Sequence, residues 1–235
     1  MKKKPTPALF FLLFLAACTP HPEPTPEPNP RPRIAASSLQ TTDPHQTTDP
    51  QPFDYYLLNL SWSPEFCYSH PTATECAQHP AFVLHGLWPQ NNTGPFPQNC
   101  STAPGPRDPS TYSDLYPDPG LLRHEWQTHG TCSGLAPDVF FTFARQAVHS
   151  VAIPTQLTSL DHQISMPPAE ILSLFSKTNP SFPRDSFALS CGNNYLTAIE
   201  VCMNKTLQPS SCGPIRSCRA NTVRIPPPQS PPQNN

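Results

Sequence analysis

FVLHGLWP at residues 82–89 and HEWQTHGTC at residues 124–132 are the two most informative stretches of the chain. Together they hold three histidines, His85, His124 and His129, and one carboxylate, Glu125. Imidazole has an ordinary pKa of about 6.5, so a histidine can donate or accept a proton near neutral pH. The two stretches therefore indicate a site for general acid–base catalysis.

The spacing within the second stretch argues against a zinc site. If it is helical, Glu125 and His129 are four apart and share a face, where the carboxylate would orient the ring and favour imidazolium. His124 and His129 are five apart, about 140° around a helix axis. The His-Glu-x-x-His pattern of zinc proteases instead places its ligands four apart. A metallohydrolase is thus the weaker alternative, and we predict no metal or other cofactor.

His85 interrupts an apolar run and is followed by Gly86, which leaves space for a ligand or for close backbone approach. A lone histidine is nevertheless more often structural than catalytic. The residues alone therefore leave both kinds of role open for His85 and His129.

The N-terminus, residues 1–17, is predicted to be a signal peptide. Lys2–Lys4 are basic, and the apolar run from Ala8 to Ala17 is too short for a membrane-spanning helix. The run ends in LAAC, which resembles a bacterial lipobox and predicts cleavage before Cys18 and lipidation of its thiol. The alternative is an ordinary secretory signal with an incidental cysteine. Both alternatives predict export, as a membrane-anchored lipoprotein facing the periplasm or the exterior or as a secreted protein.

Residues 18–52 are rich in proline, which occupies every second position from Pro20 to Pro32. This pattern favours an extended polyproline II tether, although a leader without function is the alternative. Residues 226–235 are of low complexity and are predicted to be disordered. Residues 53–225 remain as a single domain by size.

Cysteine content agrees with export. Apart from Cys18, eight cysteines remain, and an even number in an exported chain predicts four disulfides. Eight cysteines permit 105 pairings, so the count does not assign them. The sequence has no Cys-x-x-Cys pair, which makes a zinc site the weaker use of these residues.

The charge restricts how a polyanion would bind. The chain has 14 Lys and Arg against 16 Asp and Glu, or 11 against 16 without Lys2–Lys4, a formal charge of −5. Proteins that grip long stretches of nucleic-acid backbone are normally basic. A polyanionic substrate would therefore be held locally in a pocket, more strongly in mild acid as histidines protonate.

Hydrophobic patterning predicts an α+β domain with a central antiparallel sheet flanked by helices. The apolar run Phe82–Trp88 is expected to end at Pro89, and residues 90–120 are rich in loop-forming residues. Helices are predicted at Leu121–Thr131, from Pro137 to Val151 and at Ala169–Phe175. Strands are predicted at Phe53–Trp62, Phe82–Trp88, Phe187–Cys191, Tyr195–Met203 and Thr222–Ile225.

The two histidine stretches, together with SWSPEFC at residues 61–67, resemble conserved segments of the ribonuclease T2 family in their residues, order and separation. The resemblance covers about residues 53–225. It implies a disulfide-stabilised α+β fold and a metal-independent endoribonuclease for single-stranded RNA. We predict that the protein is a monomer with no stable protein partner. Such an enzyme uses the ribose 2′-OH to form a 2′,3′-cyclic phosphate and then a 3′-phosphate, with broad base specificity.

The resemblance also assigns roles. It makes His129 the base for the 2′-OH and His85 the acid for the leaving 5′-oxygen, two roles that can be exchanged. His124 would bind the phosphate as imidazolium, and Glu125 would orient the site and assist in the transition state. Trp88 and Phe96 match positions that stack a base, with core packing as the alternative for Trp88.

Two residues depart from the family pattern. Thr128 stands where the family usually has lysine, so a cation near the phosphate is missing unless an arginine such as Arg123 replaces it. Gln90 stands where aspartate often contacts the base, which suggests a changed base preference. Thr128 keeps open a second hypothesis, a catalytically weak homologue that binds RNA.

The resemblance further implies a disulfide pattern that the cysteine count left open. The implied pairs are Cys67–Cys76, Cys100–Cys132, Cys191–Cys218 and Cys202–Cys212. The second pair would hold the two histidine stretches together.

Overall fold

Alternation along the first strand gives the central sheet two different faces. The computed structural model describes residues 52–78 and 80–228. In β1, Tyr55–Trp62, the residues Tyr56, Leu58, Leu60 and Trp62 are buried in the main core. The side chains of the alternate residues, Tyr55, Leu57, Asn59 and Ser61, lie on the opposite face. The predicted signal peptide, Cys18, nearly all of the tether and residues 229–235 of the tail lie outside the described residues.

The strands form one six-stranded sheet in the order β2-β1-β5-β6-β3, with β4 paired to β5. Every pairing is antiparallel except the short parallel contact between β5 and β6. The predicted α+β architecture is therefore confirmed, with this one parallel contact as an addition. The strands after β1 are Phe82–Gln90 (β2), Ile164–Met166 (β3), Phe187–Gly192 (β4), Tyr195–Met203 (β5) and Val223–Ile225 (β6).

The second strand does not end at Pro89, as predicted, but continues through Pro89 to Gln90. Pro89 lies opposite Tyr56 in the ladder between β1 and β2. Because β2 is an edge strand, a residue without a backbone N–H is tolerated there.

The helix carrying the second histidine stretch begins and ends earlier than predicted. Helix α2 runs from Pro119 to Thr128, after the Asp118 side chain accepts a hydrogen bond of 2.7 Å from the Gly120 backbone N–H. Aspartate at the N-cap followed by proline is a strong helix start. After His129 the chain forms a short 3₁₀ turn, Gly130–Cys132, so the predicted continuation to Thr131 is wrong.

Two longer helices cover the core face of the sheet. Helix α3, Pro137–Ser150, buries Phe140, Phe141, Ala144 and Ala147, and α5, Pro168–Thr178, buries Ile171 and Phe175. Both were predicted from the sequence, α3 from helical periodicity and α5 from its position after the Pro167-Pro168 pair. The sequence did not predict three short elements, which are α1 at Ser63–Ser69, α4 at Thr155–Thr158 and strand β3.

The structure joins the eight cysteines in the four pairs implied by the family resemblance. Cys100–Cys132 links the loop after β2 to the turn after His129. It therefore connects the segment that follows the first histidine stretch to the end of the second.

Among the described residues, no helix is both long enough and apolar enough to cross a membrane.

Candidate active site

A β-bulge positions His85. Across the ladder, Asn59 lies opposite Gly86 and Leu60 lies opposite Leu84, so His85 is the extra residue of β2. A bulge shifts the alternation of side chains by one residue. Leu84 and Leu87, three apart, consequently both join the main core. His85 and Trp88 lie together on the opposite face, with ring centroids 5.3 Å apart.

Gly86 gives Glu125 access to the sheet. The Trp88 indole N–H donates a hydrogen bond of 2.8 Å to Oε2 of Glu125. A Cβ atom at Gly86 would overlap both of these side chains. The space predicted beside His85 is real, but a carboxylate and an indole occupy it rather than a ligand or backbone.

Glu125 faces His85 and not His129. Oε1 of Glu125 lies 3.6 Å from Nε2 of His85. Since α2 ends at Thr128, His129 is its C-cap, with φ −117°, and its ring stacks on Trp88 at 5.1 Å between centroids. Glu125 and His129 thus both contact Trp88, but among the described residues the carboxylate makes its histidine contact with His85 rather than with His129.

Burial sets the charge of the site. It raises the pKa of Glu125, which is 1% exposed, to about 7, and the hydrogen bond from Trp88 only partly opposes this. It lowers the pKa of His129 to about 4, helped by positive charge on His124 and His85. Burial and His124 also lower the pKa of His85. The sequence argument expected a carboxylate to favour protonated His129, whereas the pKa of His129 is lowered and its neutral form is favoured.

The remaining predicted polar residues belong to helix α2. His124 is exposed on α2, and its charge acts on both His85 and His129. Thr128 is half-buried at the end of the helix, where its carbonyl accepts a hydrogen bond of 2.8 Å from the Asn99 N–H. Arg123 is exposed.

The residues predicted to bind a base differ in accessibility. Phe96 is 44% exposed, and its ring centroid lies 6.4 Å from that of His129. Trp88 is half-buried and packs against a small apolar cluster that includes Tyr55 and Leu57. Gln90 is buried at the end of β2, opposite Tyr55. Phe96 thus offers the more open ring.

Sequence reasoning assigned no role to the polar residues of β1. The Ser61 hydroxyl lies 3.3 Å from Nδ1 of His85. Asn59 is buried and donates through Nδ2 to Glu200 of β5. Their signal was present in the sequence, since both occupy the alternate, non-core positions of an otherwise apolar strand.

Among the described residues, one group of three potential metal ligands lies together, Cys67, Glu75 and Cys76. The two sulfurs are joined in a disulfide, so neither is a thiolate ligand. Glu75 is then the one donor left in this group.

Comparisons with known proteins point to one family. The model of the Ribonuclease T2 family matches residues 53–212. A ribonuclease of Aeromonas hydrophila is 46% identical over 94 residues, which are 39% of this chain and 43% of that protein. Ribonuclease DdI of Dictyostelium discoideum is 25% identical over 193 residues, 73% of this chain and 83% of that protein.

Solved structures of similar fold come from plant proteins. The RNase-related protein from Calystegia sepium has a TM-score of 0.63 at 22% identity, covering 75% of this chain and 98% of that one. A variant of RNase MC1 in complex with 5′-UMP has a TM-score of 0.60 at 19% identity, covering 73% and 97%. At these identities the likeness extends to the fold alone.

Proposed function

Because the chain belongs to the ribonuclease T2 family, we propose that it is a metal-independent endoribonuclease of single-stranded RNA. The observation that carries the proposal is the cluster of His85, Glu125 and His129 around Trp88, in which Glu125 and His129 are buried and His85 is partly exposed. It offers a neutral base and a proton-holding pair in one site. The chemistry requires both, because the 2′-OH must lose a proton and the leaving 5′-oxygen must gain one.

His129 serves as the base. Its pKa of about 4 leaves the ring neutral over most of the acid and neutral range, so it accepts the proton of the 2′-OH. The attacking oxygen then closes the cyclic phosphate on the same ribose. DNA lacks the 2′-OH and has no group to attack in this way.

The pair of His85 and Glu125 serves as the acid. The pKa of Glu125 is raised to about 7 while that of His85 is lowered, so the pair holds one proton mainly on the carboxyl. The negative charge of a bound phosphate favours imidazolium, which moves the proton to His85. His85 then protonates the 5′-oxygen as it leaves.

His124 binds the phosphate. It is exposed beside the cluster, and its positive charge already acts on His85 and His129. A cation at this place stabilises the charge that develops on the phosphorane. His124 thereby supplies part of the positive charge that the lysine of the family supplies.

Stacking accounts for broad base specificity. Phe96 presents an accessible ring near His129, and Trp88 presents its remaining exposed surface. Stacking on an aromatic ring contributes about 1–3 kcal/mol per base and tolerates every base. The complex of an RNase MC1 variant with 5′-UMP supports nucleotide binding by this fold. Gln90 is a candidate for modifying the base preference.

The setting of the enzyme is part of the same proposal. The LAAC stretch supports a lipid anchor at Cys18, with the enzyme facing the periplasm or the exterior, and the proline-rich residues 18–52 support a tether. Four disulfides support an oxidising compartment. We propose a monomer that uses RNA and no stable protein partner.

The full chain is expected to cleave a single-stranded RNA oligonucleotide in excess chelator, giving 2′,3′-cyclic phosphate ends followed by 3′-phosphates. The matched control is the same oligonucleotide with one 2′-deoxyribose, which should resist cleavage at that position alone. Mass spectrometry of the products measures both. Loss of activity in chelator, or cleavage at the deoxyribose, would contradict the mechanism. RNA binding without cleavage would favour the catalytically weak homologue instead.

The variant Thr128→Lys is expected to raise kcat on RNA by up to about tenfold, the equivalent of about 1.4 kcal/mol. Lysine supplies a cation beside the phosphate where threonine offers a hydroxyl at most. Thr128→Gln, long but neutral, is the matched control and should give no increase. An unchanged rate for Thr128→Lys would mean that another cation, such as Arg123, already compensates.

A further inference from the structure

Asn59 lies between two buried carboxyl groups on the active-site face of the sheet. In the register of β1 with β2 it is opposite Gly86, and in that of β1 with β5 it is opposite Glu200. Opposite residues of antiparallel strands have Cβ atoms about 4.5–5.5 Å apart. Oε2 of Glu125 would overlap a Cβ atom at Gly86, and from this we infer that the carboxyl group is a near neighbour of the Asn59 side chain.

The orientation of the Asn59 amide is fixed from the Glu200 side. Its Nδ2 donates to Oε1 of Glu200 at 3.5 Å, and the Ser190 hydroxyl donates to the same oxygen at 2.9 Å. With Nδ2 directed to β5, the Oδ1 of Asn59 is directed away from it, towards β2.

Two acceptors on this side have no partner. Oδ1 of Asn59 and Oε1 of Glu125 are both buried and make no hydrogen bond with the described residues. Buried polar atoms are rarely left unpaired because the desolvation penalty is about 1–3 kcal/mol. A carboxylate cannot donate to an amide oxygen, but a protonated carboxyl can. One proton on Glu125 would therefore satisfy both atoms.

We propose that Asn59, oriented by Glu200, is a positioning residue that accepts a hydrogen bond from the protonated carboxyl of Glu125. It thereby holds the proton of the acid pair on Glu125 until the substrate phosphate draws it to His85. The catalytic part of this statement rests on the proposed function. The hydrogen bond itself is a property of the free protein and can be tested without RNA.

The other groups around Glu125 leave this role to Asn59. Trp88 already donates to Oε2. His85 lies at 3.6 Å from Oε1, beyond an ordinary hydrogen bond. Burial raises the pKa of Tyr116, and the nearby charge of Glu125 raises it further. The Tyr116 hydroxyl makes no hydrogen bond with Glu125 or with any other described residue.

The test is a titration of Glu125 in the full-length free protein by NMR of carbon-13-labelled glutamate, with the signal assigned through Glu125→Gln. Asn59→Leu keeps the volume and the burial but removes the acceptor. It is expected to lower the pKa of Glu125 by about 0.5–1 unit, the equivalent of one hydrogen bond. The alkaline limb of kcat/KM should move by the same amount.

Ser190→Ala is the matched control, since Ser190 contacts Glu200 on the side away from Glu125. Its Glu125 pKa should equal that of the wild type, and an equal shift in both variants would overturn the proposal. An unchanged or raised pKa in Asn59→Leu would also overturn it, the latter because the amide would then donate to an ionised Glu125. Asn59→Val, which suits a strand, replaces the leucine variant if that does not fold.

Activity separates this inference from the proposed function. The NMR shift without any RNA cleavage would leave the hydrogen bond standing and overturn the ribonuclease. RNA cleavage with no shift would do the reverse.

Discussion

Replacing His129 with alanine is expected to reduce kcat/KM on RNA by about 10²–10⁴-fold, the usual contribution of general acid–base catalysis. In the proposed mechanism the ring is the neutral base, because burial and the neighbouring histidines hold its pKa near 4. Alanine leaves the 2′-OH with no acceptor but water. The loss should appear in kcat, since the proton moves in the transition state.

The same assignment of roles predicts how kcat/KM depends on pH. Activity requires neutral His129, so kcat/KM of the wild type should fall as pH drops through about 4. It also requires the proton shared by His85 and Glu125, so it should fall again as pH rises through about 7. His129→Ala should lack the acid limb, and His85→Ala should lack the alkaline one.

His149→Ala is the matched control, because His149 is exposed on α3 and belongs to neither histidine stretch. It should keep the wild-type rate and both limbs. If His129→Ala retained more than about a tenth of the activity, the base would have to be another group. An acid limb that persisted in His129→Ala would point to the same conclusion.

The sequence singled out the candidate site residues, but their contacts could not be predicted from it. Strand β1 and helix α3 follow from local hydrophobic periodicity, which needs no knowledge of partners. The bulge at His85 depends on how β2 pairs with β1, a long-range property. The sequence therefore identified His85 without revealing which way its ring points.

The histidine that contacts Glu125 could not be predicted for a similar reason. Four-residue spacing relates Glu125 to His129 within one element, whereas its contact is with His85 on β2. What brings Glu125 to His85 is the missing side chain of Gly86 on another element. The buried Asn59 was also overlooked, because apolar neighbours dominate its strand although the alternation places it on the site face.

Gly86→Ala is expected to lower kcat by about 100-fold or more while the protein still folds. The new Cβ would overlap the Glu125 carboxylate and the Trp88 indole, whose hydrogen bond must then break or move. A displacement of about 1 Å in a catalytic constellation can cost about 10²-fold in rate. Overpacking of this kind also costs about 1–3 kcal/mol of stability, measurable by urea unfolding.

Gly105→Ala separates the local overlap from a general effect of losing a glycine. A Cβ at Gly105 would approach Trp126 at 3.5 Å, an ordinary van der Waals distance, so this variant should keep its activity. The overlap itself can be tested with Trp88→Phe, which shortens the ring system and removes the indole N–H. If the overlap causes the loss, Trp88→Phe should cost less activity in the Gly86→Ala background than in the wild type, giving a nonzero coupling energy. Additive losses would mean that Gly86 acts through its backbone conformation and not by leaving room for the Glu125 carboxylate.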